Sequence, residues 1–450
     1  MSEDKNIAQE YIDLFKENRK ALDATCGDTV NKERDVAFEN FSIKGFPTKK
    51  EEDFRYTDVS TYFTDNYGLD LDARTATAAS LGNFSCSVPD IESHVIYLVN
   101  GWYYSKNSTK DLPAGVIISS FAEASKKYPE LIAKYYNQQA KKSTDNTVHF
   151  NTMMAQDGIF LYVPKGVVMD KPIQIINILG ADMDLLSTQR SLFILEDFSE
   201  AKVLICDHAL SKKAFTANHV REIFAGDNAS FEYYLIENQH NKVNQIISSF
   251  IHQEANSNVH SGVVTLHNGR TRNNTFVTLG GQNANTELYG MALTDKQQHV
   301  DNFTSIDHAV PNCTSRELFK NVLNDSSTGA FKGHVLVRPD AQKTAAYQTN
   351  NNICLTPTSY INTRPQLEIY ADDVKCSHGA TIGQLDLDAL FYMKARGISE
   401  DEARMLLMFA FTHEVIDQIR LKSLRDRLKF LVEQRLRGEI SKCEGCSLCS

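Results

Sequence analysis

Neither of the common glycine-rich nucleotide fingerprints, G-x-x-x-x-G-K-[ST] or G-x-G-x-x-G, occurs in this chain. If its work uses ATP, a partner has to supply the site. H-E-x-x-H and G-x-S-x-G are also missing, which removes the commonest zinc-peptidase and serine-hydrolase signatures. Positive charge is in deficit: 47 basic against 57 acidic residues leave a net charge of -10. General nucleic-acid binding is excluded on that ground, because phosphate contacts need clustered cations. The longest purely apolar run, Met405 to Phe411, is far short of the ~20 residues that span a bilayer. The N-terminus, MSEDKNIAQEYIDLFKEN, is acidic and amphipathic and has no signal-peptide apolar segment. These features predict a soluble cytoplasmic protein whose partners are proteins or small ligands.

Cysteine gives no disulfide framework. Of nine cysteines, six (Cys26, Cys86, Cys206, Cys313, Cys354, Cys376) are scattered without the spacings of a secreted domain and read as reduced, small core residues. The other three, Cys443, Cys446 and Cys449, form a C-x2-C-x2-C tail. Three thiolates can wrap a metal, but the tail lacks the fourth ligand of a ferredoxin-type site. A transient cluster, zinc, an adventitious disulfide and no role at all stay open for it.

What is present is a change of pattern along the chain. Residues 1–145 carry helical stretches, Asn6 to Ala24 and Ile117 to Gln139, and are expected to form an N-terminal helical region. From Gly158 the chain breaks into short β-branched and aromatic runs, such as GIFLYVPKGVV and SLFILEDFSEAKVLICDHAL, divided by Asn, Asp and Gly. Aligning acidic or amide residues that precede a small or polar one gives markers at Glu200, Asn228, Asn256, Asn283, Asn312 and Asp340. Their intervals are 28, 28, 27, 29 and 28, and a next copy at Asp373 lies 33 on. The first three copies alternate apolar residues in strand fashion (Val203 and Ile205; Phe231, Tyr233 and Leu235; Val259 and Val263), whereas later copies keep the spacing and blur the alternation.

Strand-rich units with a fixed period and no intervening helix stack into a parallel β-helix over residues 146–384. A β-sandwich with chance periodicity is the alternative. Asn suits the turns, because it tolerates left-handed backbone and can form ladders between coils. Residues 385–437 turn helical again: one helix ends at Gly397, and Ser399 with Glu402 forms the S-x-x-E start of another. That helix is expected to place Ala403, Leu406, Leu407, Ala410 and Phe411 on one stripe, as internal core or as a docking surface. Residues 438–450 are the cysteine tail.

The sharpest local constellation is Asp372-Asp373-Val374-Lys375-Cys376-Ser377-His378-Gly379-Ala380-Thr381. In an extended strand Cys376 and His378 project from one face. A thiolate and an imidazole suit iron-sulfur chemistry or zinc, but two ligands fall short of a stable site, so further ligands would come from elsewhere. A buried cysteine beside a hydrogen-bonded histidine is the competing reading. His299, His308 and His413 read as satisfied structural histidines, and Gly280 with Gly281 as a bulge or close coil contact.

The segment ADDVKCSHGATIGQLD closely resembles the signature of the SufD branch of the SufB/SufD family. GAFKGHVLVRPDAQKTAAYQTNNN, HVDNFTSIDHAVPNCTSRELFK and the N-terminal FPTKKEEDFRYTD are similar to the same family, so the resemblance runs from the N-terminal region to about Leu436. It implies a right-handed parallel β-helix between helical terminal regions. It also implies a non-catalytic scaffold that pairs with SufB through the β-helices, or with a second copy of itself, and docks the ATPase SufC on its C-terminal helices. His378, with Cys376 beside it, would then line the interface where a nascent, transient iron-sulfur cluster is shared with SufB. A SufB-like chain would be expected to read E-H-E-A-T where this one reads C-S-H-G-A-T. The alternatives are a SufB-like subunit or a β-helix enzyme acting on polysaccharide, the latter prompted by architecture alone.

Overall fold

The computed structural model describes residues 3–65, 67–72, 88, 91–104 and 111–438. After helices α1 (Glu3–Thr25) and α2 (Asp28–Lys44) come the short strands β1 (Gly68–Leu69), β2 (His94–Val99), β3 (Trp102–Tyr104) and β4 (Ile117–Ser120). Helices α3 (Phe121–Lys127), α4 (Pro129–Tyr135) and α5 (Asn146–Met154) follow. The stretch expected as one helix from Ile117 to Gln139 is therefore a strand and two short helices. Ile117–Ser120 pairs antiparallel with the first coil, and Pro129, with no N–H to give, starts a new helix after Tyr128.

The body is a parallel β-solenoid of about 8 turns. One wall is built from β5 (Ile159–Val163), β7 (Leu185–Leu195), β9 (Phe215–Ala225), β11 (Val243–Gln253), β13 (Arg270–Leu279), β15 (His299–His308), β17 (Thr328–Val337) and β19 (Tyr360–Ile369). The other holds β6 (Ile173–Leu179), β8 (Glu200–Ala209), β10 (Ser230–Asn238), β12 (Asn258–His267), β14 (Asn285–Thr294), β16 (Thr314–Leu323), β18 (Ala345–Cys354) and β20 (Lys375–Gly383). From β7 to β18 each strand pairs with the strand two before and two after it, so the chain alternates between walls and climbs one coil per pair. Strand side chains alternate in direction; one row from each wall fills the lumen, as with Phe193, Ile223 and Ile251 against Val203, Phe231 and Leu235.

The repeat markers find their physical basis at the turns. Asn228, Asn256, Asn283 and Asn312 sit at φ of 59°, 57°, 60° and 64°, the left-handed region that Asn tolerates better than most residues. Each donates its N–H to the carbonyl before the equivalent residue of the next coil: Asn228 to Ala255, Asn256 to Gln282, Asn312 to Gln342. Asn283 Nδ2 also donates to Asn256 Oδ1 at 3.0 Å, a side-chain rung between coils. The outer markers shift. The left-handed residue is Phe198, two before Glu200, and Lys343, three after Asp340. Lys343 donates to the Asp373 carbonyl, and the paired positions Thr314↔Ala345 and Ala345↔Lys375 lie 31 and 30 residues apart, so both of the last coils on this wall have gained residues. Gly280 and Gly281 are close coil contacts: a Cβ on Gly281 would lie 1.9 Å from Ala255 N.

Both walls are covered outside. Aromatic side chains of the N-terminal region (Tyr11, Phe41, Phe46, Phe63, Phe150) cluster over Leu186 and Ile246 of the first wall. The FPTKKEEDFRYTD segment then runs along that wall: Phe54 lies under the Arg272 guanidinium at 4.2 Å, Thr57 bonds His299 and Asp301, and Glu52 pairs with Arg364 at 2.9 Å. An anchor between cap and wall is Glu222, fully buried, whose carboxylate accepts from the backbone N–H of Asn137, Gln139 and Ala140 at 2.6, 2.9 and 3.1 Å and pairs with Arg190 at 2.8 Å.

On the second wall lie α7 (Glu400–Ile416) and α8 (Lys422–Leu436), preceded by α6 (Leu387–Ala395), which packs on α7. Asp386 caps α6, and Ser399 accepts from Glu402 N at 3.3 Å to cap α7. The Glu402 carboxylate turns instead to Arg437 at 2.9 Å, so the expected box is half made. The buried face of α7 is Ala403, Met405, Met408, Thr412, Val415 and Ile416, while Leu406 and Ala410 of the expected stripe are exposed. The stripe is rotated because the helix packs on the solenoid wall, against Tyr234, Val264 and Met291, as well as on α8. Polar contacts fasten it: Arg420 to Glu287 at 2.7 Å, and Arg435 to Asp295 at 2.8 Å and to the Leu266 carbonyl at 2.9 Å.

Removing one partner of a buried ion pair costs about 3–5 kcal/mol. Glu222→Ala strands both Arg190 and three backbone N–H groups, so it is expected to lower stability by that order, read as a lower urea midpoint.

Candidate functional site

The inward columns of the second wall differ along the axis: Val203, Tyr233 and Leu288 lead to Glu317 and Gln348, and Ile205, Leu235 and Phe319 to Asn350, whereas a third column is polar from the start, with Asn177, Asp207, Glu237, Asn321 and Asn352, all buried. Asn321 Nδ2 donates to Asn352 Oδ1 at 2.7 Å and Asn352 Nδ2 to Asn350 Oδ1 at 2.6 Å. The blurred alternation of the later copies is the trace of this polar lumen: burial still alternates, hydropathy does not.

The last strand, β20, pairs with β18 alone, in the register Cys376↔Ala346, His378↔Gln348 and Thr381↔Asn351. Ala346 and Gln348 are lumen residues, so Cys376 and His378 share the lumen-facing row, as an extended strand requires. Cys376 is half-buried and packs on the lumen core; burial pushes its thiol pKa up, and its hydrogen bond with the Ala346 backbone offsets part of that. His378, with no further coil stacked on it, is exposed. The structure thus places the two residues together at the open end of the solenoid, one thiol half-sheltered and one imidazole outside. No group of three His, Cys, Asp or Glu side chains able to hold a metal exists among the described residues. Two donors from one strand fit a shared cluster only if another surface completes the set. Cys443, Cys446 and Cys449 lie outside the described residues.

The surround of the open end is apolar and bare. β19 and β20 each leave one backbone edge unpaired, and Tyr360, Ile369, Tyr370 and Ile382 are exposed by 57, 40, 62 and 52 %. Unpaired edges with exposed apolar side chains mark a surface for another chain.

The other histidines are structural. His299, half-buried, sits between Thr57 Oγ1 and Thr328 Oγ1, at 2.9 and 2.7 Å, and His308 meets Ser315 at 2.9 Å; desolvation pushes both down to about 4. His413 bonds Asp417 at 3.2 Å. Sequence reading missed the buried carboxylates Asp207, Glu237 and Glu317, which point into the lumen where no polymer reaches. Their signal was an acidic residue at an inward position of an alternating strand. Burial pushes Glu237 and Glu317 up to about 7.

The fold is a parallel β-solenoid whose terminal coil carries two potential donors, Cys376 and His378, and family models give its class. The SufBD core domain of the SUF system for FeS cluster assembly matches residues 178–411, and the SufBD N-terminal region matches 5–175. The chain belongs to the SufB/SufD family of the SUF iron-sulfur cluster assembly system. It is 29 % identical over 419 residues to an iron-sulfur cluster assembly SufBD family protein of Synechocystis, covering 90 % of this chain and 91 % of that protein. It is 37 % identical over 167 residues to SufD of Escherichia coli (37 % of this chain, 40 % of that one) and 25 % over 336 residues to SufD of Bacillus subtilis (72 and 74 %). Among the described residues no helix is long and apolar enough to cross a membrane.

The raised carboxyls fix a pH dependence. With folded pKa above the free value of 4.5, the folded state holds more protons, so stability is present below about 4.5 and lost as pH rises through about 7. Glu237→Gln is expected to remove one such proton, flattening the fall of the urea midpoint between about pH 5 and about pH 8.

Proposed function

We propose that this chain is the SufD-type, non-catalytic scaffold subunit of a cytoplasmic SUF assembly complex. It pairs with SufB through the open end of the solenoid and docks the ATPase SufC on its C-terminal helical region. The nascent cluster is cargo, shared with SufB, and His378 with Cys376 contributes the SufD side of its ligands. The single observation that carries this reading is an exposed imidazole and a half-buried thiol on a terminal strand whose edge and apolar surround are uncovered. An incomplete donor set at a surface suited to another chain is what a shared site requires. The C-S-H-G-A-T reading and the SufD relatives favour SufD over SufB.

In the C-terminal region, α6 buries Leu390 but exposes Leu387, Phe391 and Tyr392 by 68, 74 and 59 %. Leu387 and Phe391 are one helical turn apart and form one stripe. This bare stripe suits SufC, which brings the nucleotide site the chain lacks.

Anaerobic co-expression with SufB and SufC tests both parts. His378→Ala is expected to leave the complex intact while iron and acid-labile sulfide fall several-fold; unchanged cluster content would remove His378 from the site. Phe391→Glu is expected to abolish co-purification of SufC and spare SufB, and retention of SufC would move its docking surface elsewhere.

A further inference from the structure

Beneath His378 the lumen holds a side-chain pair that a packing role alone does not account for. The registers stack Glu317, Gln348 and His378 in one inward column, on β16, β18 and β20. Gln348 is 2 % exposed and Glu317 1 %. The Gln348 amide Nε2 donates to Glu317 Oε2, which fixes the amide's orientation and leaves Oε1 as the free end. That Oε1 is buried and has no hydrogen-bond partner, a costly state for an amide oxygen unless a donor comes to it. The opposite wall is cut away for this side chain: a Cβ on Gly333 would lie 2.0 Å from Gln348 Nε2 and 2.6 Å from its Cδ. A glycine here is therefore the condition for a glutamine to reach across the lumen. The same registers stack Pro365 on Gly333. Paired positions on neighbouring strands stand about 4.7–4.9 Å apart, within hydrogen-bond reach for side chains of one row.

We propose that Gln348, held by Glu317 and seated over Gly333, is a positioning residue for His378: its Oε1 accepts from one imidazole N–H, which leaves the other ring nitrogen bare and aimed outward as a ligand. A histidine that ligates iron does so through an unprotonated nitrogen, and the bond made by its other N–H selects which nitrogen that is. The carboxylate is one step removed, fixing the amide as the amide fixes the ring. Gln348 touches no cargo. The inference rests on the reading of His378 as a ligand and adds to it the device that sets its tautomer.

Two readouts separate the inference from that reading. In the full chain alone, long-range proton-nitrogen NMR of labelled histidine reports the His378 tautomer; in the SufB and SufC complex, acid-labile sulfide reports cluster content. Wild type is expected to show one dominant neutral tautomer. Gln348→Met keeps the length of the side chain without its polar end, and is expected to give a mixture of tautomers and at least a three-fold loss of sulfide with the complex intact. The exchange Glu317→Gln with Gln348→Glu rebuilds the same bond in reverse and is expected to restore both signals. If Gln348→Met fails to fold, the exchange decides: a retained single tautomer supports the inference and a mixture overturns it. A wild-type tautomer and wild-type sulfide in Gln348→Met also overturn it. If instead His378→Ala keeps its sulfide, the ligand reading fails, and the tautomer of the isolated chain still judges the bond from Gln348.

Discussion

Everything in this protein depends on the register between successive coils. A single coil is two short strands that cannot bury their own inward row; only the next coil, stacked in register, closes it. The register is locked at the turns, where Asn228, Asn256, Asn283 and Asn312 take left-handed backbone and pass a hydrogen bond to the coil above. Because a strand's side chains change face with every residue, a one-residue slip would exchange lumen and surface along a whole coil. The ladder therefore selects which residues become lumen, including Cys376 and His378 at the open end.

Stacking that stabilises every interior coil also means the last one is left unsatisfied. β20 is paired on one side only, and the lumen beneath it holds Gln348 and Asn350 where earlier coils hold Val203, Leu235 and Leu288 in the same columns. An apolar lumen at that end would give greater intrinsic stability but no hydrogen-bonding floor for a polar site. The lumen's buried carboxyls Glu237 and Glu317, raised by burial to about 7, make the fold lose stability as pH rises. The terminal helical regions answer a different need. They cover the outer faces of both walls, through the aromatic cluster around Phe46 and Phe150 on one side and through α7 and α8 on the other, and leave the end itself bare.

Several features were legible before any coordinates. The period near 28 residues is written in turn residues whose chemistry is local: an Asn in left-handed backbone needs no distant contact to be recognised. Gly397 and Ser399 mark helix ends for the same reason, and Cys376 and His378 share a face because a strand has period two. Other features were not. Phe198 and Lys343 hold the left-handed turns beside Glu200 and Asp340, and neither residue type announces such backbone. The helix expected across Ile117–Gln139 yields to a strand because β5 needs an antiparallel neighbour at the first coil.

By itself the sequence determined the solenoid, its helical ends, the placing of Cys376 and His378 on one row and the absence of a nucleotide fingerprint. These follow from spacing and local backbone preference. Tertiary structure alone decided that His378 is exposed while Cys376 is half-sheltered, that α7 turns Met405 and Met408 to the wall and Leu406 outward, and that Gln348 reaches over Gly333 to stand below the imidazole. The reason is the same in each case. Residues tens of positions apart meet only through coil register and wall packing, and no window of sequence contains both partners.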